Sequence, residues 1–374
     1  MTTNNTFNPD YAIHPGKILN EKLEEINMTS KEFAIRTGKP IKTISEVINC
    51  RSSITPEMSV QFEKVLKIPA NFWLNSQANY NEIIAKIKRH KDIQEAESWT
   101  RNFPYRKMAE FGWVKKTRKI NEKTEELFNF FNISKASSWK KIYLNGELPI
   151  YFRISLKSKK NPYSLSAWLA KGDEIAKNIN IVKYNKTKLK SILPDLKKTM
   201  LANSKDLFSK IQSICSNAGV KIIFTPLLPQ TGINGAVRWI GENPIIQISD
   251  RYKRYDIFWF SLFHEIGHII LHGNKKNIFL ENAKNIDTNN IKEKEANEFA
   301  KKHLLNDKQY NEFTKQIKNK TKILEKIDYF ANKFNTHRDI LIGRLLYEKK
   351  NSYYFLRKQI NKINFKNFTN YETN

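Results

Sequence analysis

The sequence is poor in cysteine, glycine, proline and acidic residues, and each shortage excludes a class of protein. Only 2 of the 374 residues are cysteines, Cys50 and Cys215, which excludes a disulfide framework and fits a reducing compartment. With 12 glycines and 12 prolines, the chain is neither collagen-like nor of low complexity. Its apolar runs, such as 257–263, are far shorter than the roughly 20 residues that cross a bilayer. The first residues lack the basic and apolar segments of a secretory signal, so we expect a cytoplasmic protein with no membrane partner.

What the chain does contain is apolar and basic. Hydrophobic residues are 40% and aromatic residues 12%, which is enough to build cores and excludes wholesale disorder. Lys and Arg number 65 against 37 Asp and Glu, a net charge of +28. Residues 1–80 carry 9 basic and 8 acidic side chains, whereas residues 81–200 carry 27 and 12. A basic surface attracts polyanions such as nucleic acid, although a lysine-rich composition along the whole chain explains the same charge.

The first 80 residues predict five short helices, of which the second and third match a helix-turn-helix. A capping box at 29–32 predicts that the second helix starts at about Ser30. Gly38 predicts the turn, because a residue without Cβ takes a positive φ at little cost. In the third helix, Ile44 and Val47 are spaced to face the core.

The opposite face of the third helix is predicted to enter a DNA major groove. There Lys42 can reach guanine or phosphate, and Glu46 can accept from cytosine N4. The predicted DNA-contacting residues are Lys39, Ile41, Lys42, Thr43, Ser45, Glu46, Asn49 and Arg51. The alternative is a helical packing module with no nucleic-acid role.

Four short motifs mark this N-terminal stretch: His14-Pro-Gly-Lys-Ile-Leu, Lys42-Thr-Ile-Ser-Glu-Val-Ile-Asn49, Ile54-Thr-Pro-Glu-Met and Asn71-Phe-Trp-Leu-Asn. In these motifs the sequence resembles the XRE-family regulators, specifically the HigA-type antitoxins. The resemblance implies a five-helix, λ-repressor-like domain over residues 1–80 that binds a double-stranded DNA operator. A homodimer is expected, because palindromic operators match two-fold protein symmetry. Cys50-Arg51 stands where the family usually has Gly-Lys.

The middle of the chain, residues 81–200, predicts a helical connector domain. Its spaced aromatic residues are explained by core packing, and it contains no glycine-rich phosphate loop. The segment 151–157 alternates in polarity and predicts one short strand. Residues 201–310 predict a domain with chemistry, and residues 311–374 a helical extension that packs on it.

The domain over 201–310 contains the pattern His264-Glu-Ile-Gly-His268 on a predicted helix. Two histidines at i and i+4 project from one helical face and can share a tetrahedral Zn²⁺. Glu265 stands beside the first histidine and can act as a general base without ligating the metal. His272 continues the same face, but eight residues of helix span about 12 Å, too far from His264 for one ion.

A third ligand is predicted on the helix that starts near residue 292. Glu293 falls on the buried stripe of that helix, where a carboxylate needs a partner that a metal would supply. Asn297, one turn further, is placed to hydrogen-bond the second nitrogen of a ligand histidine. His264, His268 and Glu293 with one open position would form a catalytic zinc site rather than a structural one.

Strands are predicted at 220–226, 235–240 and 244–249, with a hairpin turn at 241–243. The edge of the strand at 235–240 could hold an extended peptide substrate by backbone pairing. No oxyanion-stabilising residue is identified: Arg238, Tyr252 and Tyr255 are candidates no better than surface residues.

Three longer motifs occur in this domain: Leu228-Pro-Gln-Thr-Gly-Ile-Asn-Gly-Ala-Val-Arg-Trp239, Phe258-Trp-Phe-Ser-Leu-Phe-His-Glu-Ile-Gly-His-Ile-Ile-Leu-His272 and Glu293-Lys-Glu-Ala-Asn-Glu-Phe-Ala300. They resemble the ImmA/IrrE family of zinc metallo-endopeptidases, whose members cleave XRE-type repressors. The resemblance implies a minimal zincin-like fold with a small β-sheet. It also implies His264, His268 and Glu293 as zinc ligands and Glu265 as the catalytic base.

The sequence therefore predicts a mainly α protein with an α+β C-terminal domain. The leading hypothesis is a DNA-binding regulator joined to a zinc endopeptidase that cleaves a repressor-type protein or acts in a toxin–antitoxin or prophage-type switch. Its protein partner would be an XRE-type repressor as substrate or a cognate toxin. The alternative is a non-enzymatic HigA-type antitoxin or repressor whose metallopeptidase fold senses a ligand or binds a partner.

Overall fold

The computed structural model describes residues 12–145, 161–202, 204–251, 253–273, 279–280, 291–317, 322–348 and 353–368. It is mainly helical with one small sheet, as expected, and divides into two compact units, Met1–Glu97 and Ser98–Asn374. Among the described residues, no helix combines the length and apolar composition that a membrane span requires.

The helices are α1 (Pro15–Glu25), α2 (Ser30–Thr37), α3 (Ile41–Ile48), α4 (Pro56–Leu66), α5 (Ala70–Glu95), α6 (Glu97–Thr100), α7 (Tyr105–Glu110), α8 (Ile120–Phe131), α9 (Ala136–Trp139), α10 (Pro162–Lys177), α11 (Lys186–Ser191), α12 (Leu193–Ala202), α13 (Leu207–Ser216), α14 (Tyr255–His272), α15 (Ile291–Leu304), α16 (Asp307–Gln316), α17 (Ile323–Lys333) and α18 (Arg338–Glu348). The strands are β1 (Lys221–Phe224), β2 (Gly235–Ile240), β3 (Asn243–Ile248) and β4 (Phe279–Leu280).

The first unit is the predicted five-helix bundle, α1 to α5. Thr29 caps α2, since its Oγ1 accepts from the Glu32 amide at 3.1 Å. The second half of the predicted capping box, a bond from the Glu32 side chain back to the start of the helix, is replaced by an ion pair between Glu32 and Arg36. Gly38 ends α2 with φ +64°, the left-handed conformation that the predicted turn requires.

Helix α3 is held against α1 by a close backbone approach. A Cβ on Gly16 would lie 1.8 Å from the carbonyl oxygen of Val47, so only glycine fits there. Val47 and Ile44 have no exposed surface and turn one face of α3 into the core, as predicted. The opposite face of α3 is therefore left toward solvent.

The sheet of the second unit has the strand order β1-β3-β2-β4. Strand β3 pairs parallel with β1 and antiparallel with β2, and Gly241 at φ +61° makes the tight turn between β2 and β3. Strand β4 pairs antiparallel with β2 at Ala236 and Val237. The prediction that β2 offers a free edge to a peptide substrate is therefore wrong at these two residues, because the chain itself makes those backbone bonds.

Side chains of the sheet alternate between two covered faces. On one face Ile222, Val237 and Ile246 join the apolar core around α14. On the other face Ile223 and Ile245 pack with residues of α10. The metal-binding helix predicted from the sequence and α10 thus lie on opposite sides of the same small sheet.

Helix α10 belongs to the middle stretch that the sequence predicts to be a connector. Its Tyr163 ring stacks on Trp139 at 4.7 Å and meets Phe103 edge-on at 5.1 Å. Trp99, Phe103, Phe128 and Phe131 are buried, as predicted, whereas Trp113 and Phe130 are half-buried. The predicted strand at 151–157 lies outside the described residues.

The domain boundaries that the sequence predicts at residues 80, 200 and 310 stay a prediction. The first of them falls inside α5, and the two compact units meet between residues 97 and 98. The C-terminal helices pack on the same core as α14: Leu341 and Leu345 of α18 belong to it. Thr336 donates to the carbonyl of Leu304 at 2.8 Å.

Candidate functional site

The two histidines of the predicted metal pattern lie side by side on α14. His264 is 2% exposed and His268 1%, and their Nε2 atoms are 3.0 Å apart. This follows from the i, i+4 spacing, which places both rings on one face of the helix. The apolar sequence around them buries α14 between the sheet and α15, so water is largely excluded from both rings.

Helix α15 brings the third predicted ligand to these histidines. Glu293 Oε2 is 3.3 Å from His264 Nε2, and Glu293 Oε1 is 3.3 Å from His268 Nε2. In a tetrahedral zinc site with bonds of about 2.0–2.2 Å, ligand atoms are separated by about 3.3–3.6 Å. Both Glu293 separations match this range, whereas the 3.0 Å between the two Nε2 atoms is slightly shorter. The three side chains form a cluster of potential metal ligands of the right size for one small ion.

The protonation states also suit a metal. Burial lowers the pKa of His268 to about 4, so its imidazole is neutral at pH 7. Burial raises the pKa of Glu293, but its interactions with His264 and His268 outweigh this and hold that pKa at about 2. A neutral imidazole and an ionised carboxylate are the forms that bind zinc.

Asn297 fixes the orientation of one ligand ring. Its Oδ1 lies 3.0 Å from Nδ1 of His264. An amide oxygen only accepts, so Nδ1 carries the proton and the lone pair of Nε2 points toward Glu293. The structure thus brings together all four residues that the sequence singled out around the metal: His264, His268, Glu293 and Asn297.

Glu265, the predicted general base, is 1% exposed and faces the start of β2. A Cβ on Gly235 would lie 3.0 Å from Glu265 Oε1, so the absence of a side chain at Gly235 gives the carboxylate its place. Gly267 has a similar role toward α15: a Cβ there would lie 3.1 Å from Phe299. The sequence indicated close packing at Gly267, but it gave no signal that Gly235 borders Glu265.

Residues considered as additional site members lie elsewhere. His272 donates from Nε2 to the Lys292 carbonyl at 3.1 Å and is not in the ligand cluster, as expected. Arg238 is 1% exposed and, by the alternation of β2, points to the α10 face, away from Glu265. Tyr255 is buried and donates to the Met200 carbonyl at 2.5 Å. Arg238 and Tyr255 are therefore neither surface residues nor oxyanion donors, and Tyr252 lies outside the described residues.

The second candidate site is the outer face of α3. Ile41, Lys42, Asn49 and Arg51 are exposed, and Thr43, Ser45 and Glu46 are half-buried. Two of the predicted DNA contacts already have partners: Lys39 Nζ pairs with Glu57 at 2.7 Å, and Asn49 donates to the Ser45 carbonyl at 2.8 Å. Cys50 takes φ +61°, a conformation that favours glycine.

Comparison with known proteins identifies both parts of the chain. Residues 215–345 match the IrrE N-terminal-like domain. Virulence-associated protein A of Dichelobacter nodosus is 38% identical over 79 residues, which are 21% of this chain and 76% of that protein. The chain belongs, through this N-terminal stretch, to the HTH-type transcriptional regulators. An uncharacterised HTH-type transcriptional regulator of Escherichia coli, YddM, is 33% identical over 79 residues, 21% of this chain and 82% of the relative.

A HigA-family addiction-module antidote protein from Coxiella burnetii has a solved structure that is 31% identical. It covers 22% of this chain and 91% of its own, with a TM-score of 0.21. This HTH-type regulator thus joins a helix-turn-helix unit to an IrrE N-terminal-like domain. The match to that domain extends from the end of α13 through α18 and contains all three candidate metal ligands.

Proposed function

We propose that this protein is a DNA-binding transcriptional regulator whose C-terminal part is a zinc-dependent endopeptidase. The observation that carries the proposal is the convergence of His264, His268 and Glu293, with ligand atoms 3.0–3.3 Å apart, in an IrrE N-terminal-like domain. Two imidazoles and one carboxylate leave a fourth tetrahedral position for water or substrate, as in catalytic zinc sites.

When bound, a zinc ion would lower the pKa of a water molecule and polarise a peptide carbonyl. His264, His268 and Glu293 would hold it. Glu265 would take the proton of the attacking water and deliver it to the amine that leaves as the peptide bond breaks. The burial of Glu265 supports this role, since it keeps the carboxylate out of bulk water next to the candidate ligand His264.

The proposed substrate is a repressor-type protein, so that cleavage would switch a toxin–antitoxin or prophage-type operon. The sequence resemblance to ImmA/IrrE endopeptidases supports this choice. If the protein is instead a non-enzymatic antitoxin, we expect a cognate toxin as its bound partner.

The peptidase half is tested with full-length protein and Glu265→Gln. We expect about one zinc per chain in both. Wild type should cleave a candidate helix-turn-helix repressor, whereas the variant should be slower by about 10²–10⁴, the usual contribution of a general base. Glu298→Gln, on the exposed side of α15, is the matched control and should cleave normally. Zinc binding without cleavage that depends on Glu265 would instead support the non-enzymatic antitoxin or sensor.

The DNA-binding half rests on α3. Lys42 is exposed and Glu46 half-buried on the face opposite the core, where each side chain can reach a base edge in a major groove. We expect the protein to bind its operator as a homodimer. Because the first 80 residues are nearly neutral, phosphate affinity would come from local placement of cations, from dimerisation or from the basic region downstream.

The DNA-binding proposal is tested by selecting a duplex from a random library and measuring affinity by fluorescence anisotropy. Lys42→Ala and Glu46→Ala should each weaken binding by about 1–3 kcal/mol and relax the preference at one base pair. Lys22→Ala removes the same charge from α1 and should bind normally. Equal affinity of all these variants would reject α3 as the reading helix.

A further inference from the structure

We infer that Asp173 and Arg238 are positioning residues: they fix β2 on α10 and thereby hold the Gly235 backbone beside the Glu265 carboxylate. This inference rests on the proposed peptidase function. It also gives α10, which lies before the IrrE N-terminal-like match at 215–345, a role in the site.

The first argument is the ion pair itself. Arg238 Nε lies 2.6 Å from Asp173 Oδ1, and Arg238 Nη2 donates to the Leu169 carbonyl at 2.9 Å. The two charged side chains are only 1% and 7% exposed. A buried pair of this kind adds little net stability compared with apolar packing, but it defines one geometry, because a displaced partner leaves a buried charge unpaired.

The second argument is that α10 is fastened to all three long strands. Besides the bonds from β2, Gln247 of β3 donates to the Trp168 carbonyl at 2.7 Å. Lys221 of β1 donates to the Ala176 carbonyl at 2.7 Å, in the last turn of α10, where a cation is favoured by the helix dipole.

The helix also lies unusually close to the sheet. A Cβ on Gly172 would come within 2.1 Å of Gln247 Oε1 and 2.6 Å of Arg238 Nη2. A side chain at this position would displace the ends of Gln247 and Arg238, so Gly172 leaves the space in which the ion pair forms.

The third argument connects this face of the sheet to the site. Arg238 and Gly235 are three residues apart on the six-residue strand β2, so they point to opposite faces. Gly235 borders Glu265 closely enough that a Cβ on Gly235 would lie 3.0 Å from Glu265 Oε1. A shift of β2 by a few tenths of an ångström on the α10 side would alter the space left for the Glu265 carboxylate.

The test compares Asp173→Asn with Glu174→Gln in the full-length protein. Glu174 is the next residue of α10, its side chain is 54% exposed, and it pairs with Lys171 on the same helix, so it controls for loss of one acidic charge. Three quantities are measured: zinc content, hydrogen exchange of the β2 amides, and kcat and KM for the repressor cleaved by wild type.

For Asp173→Asn we expect a wild-type zinc content, at least tenfold faster exchange at residues 236–240 and at least a tenfold lower kcat. Glu174→Gln should match wild type in all three. Arg238→Lys, which keeps the charge but cannot make both bonds at once, should lie between the two, and it replaces Asp173→Asn if that variant does not fold.

Faster exchange in β2 with an unchanged kcat would overturn the inference, because the pair would then be structural only. Unchanged exchange would overturn it as well. If wild type cleaves nothing, the proposed function fails. The exchange rates at 236–240 then decide by themselves whether the pair fixes β2.

Discussion

The hydrogen bond between Asn297 and His264 provides a sharp test of the metal centre. In Asn297→Ala, Nδ1 of the buried His264 ring loses the acceptor that lies at 3.0 Å. Loss of a buried neutral hydrogen bond costs about 1 kcal/mol. The ring proton is also free to move to Nε2, the atom that must be unprotonated to bind a metal. Loss of such an outer contact weakens metal affinity by about 10–100-fold, or about 1.4–2.7 kcal/mol.

The assay is competition for Zn²⁺ with a chromophoric chelator at pH 7. Asn297→Asp keeps an acceptor oxygen and should bind zinc at least as well as wild type. Glu298→Gln changes the neighbouring residue, whose carboxylate pairs with Lys301 at 2.7 Å, and should leave affinity unchanged. If Asn297→Ala binds zinc as tightly as wild type, then Asn297 does not orient a ligand, and the assignment of His264 Nε2 as a ligand atom loses its support.

Three further predictions concern packing and protonation. Gly267→Ala would place a methyl group 3.1 Å from Phe299, so we expect α15 to move and zinc affinity to fall, with partial recovery in Gly267→Ala/Phe299→Leu. Gly16→Ala would place Cβ 1.8 Å from the Val47 carbonyl and should destabilise the N-terminal unit by about 1–3 kcal/mol or more in urea unfolding, while zinc content stays constant. Burial lowers the pKa of His337 to about 4, against 6.5 when unfolded, so the unfolded chain binds an extra proton between these values. As pH falls from 6.5 to 4, the free energy of unfolding of the metal-free wild type should therefore fall by up to about 3 kcal/mol more than that of His337→Phe. Parallel curves of unfolding free energy against pH for the two proteins would contradict this.

Local rules account for the elements that the sequence predicts well. The bounds of α2 follow from a capping threonine and a glycine that accepts positive φ, and both signals lie within a few residues of the ends they define. The pairing of His264 with His268 follows from helix geometry alone. Glu293 and Asn297 could be found because a polar residue on an otherwise apolar stripe needs a partner.

The remaining features depend on contacts between distant segments. In the sequence, Arg238 is an ordinary polar residue of a predicted strand. It becomes a buried cation with a carboxylate partner only because α10 packs there and brings Asp173, 65 residues earlier, to it. Strand β4 is too short for any periodicity, yet its two residues take the edge of β2 that seemed open to a peptide.

The amino-acid sequence by itself determined the helix-turn-helix and singled out the three candidate metal ligands, because spacing along one helix and burial of one face are local properties. Only the tertiary structure decided which side of β2 meets Glu265, at which residues the edge of β2 is already paired, and that α10 packs against the sheet. Those outcomes depend on which segments meet in space. The free energy of such a contact depends on both segments, so the pattern of one segment alone does not predict it.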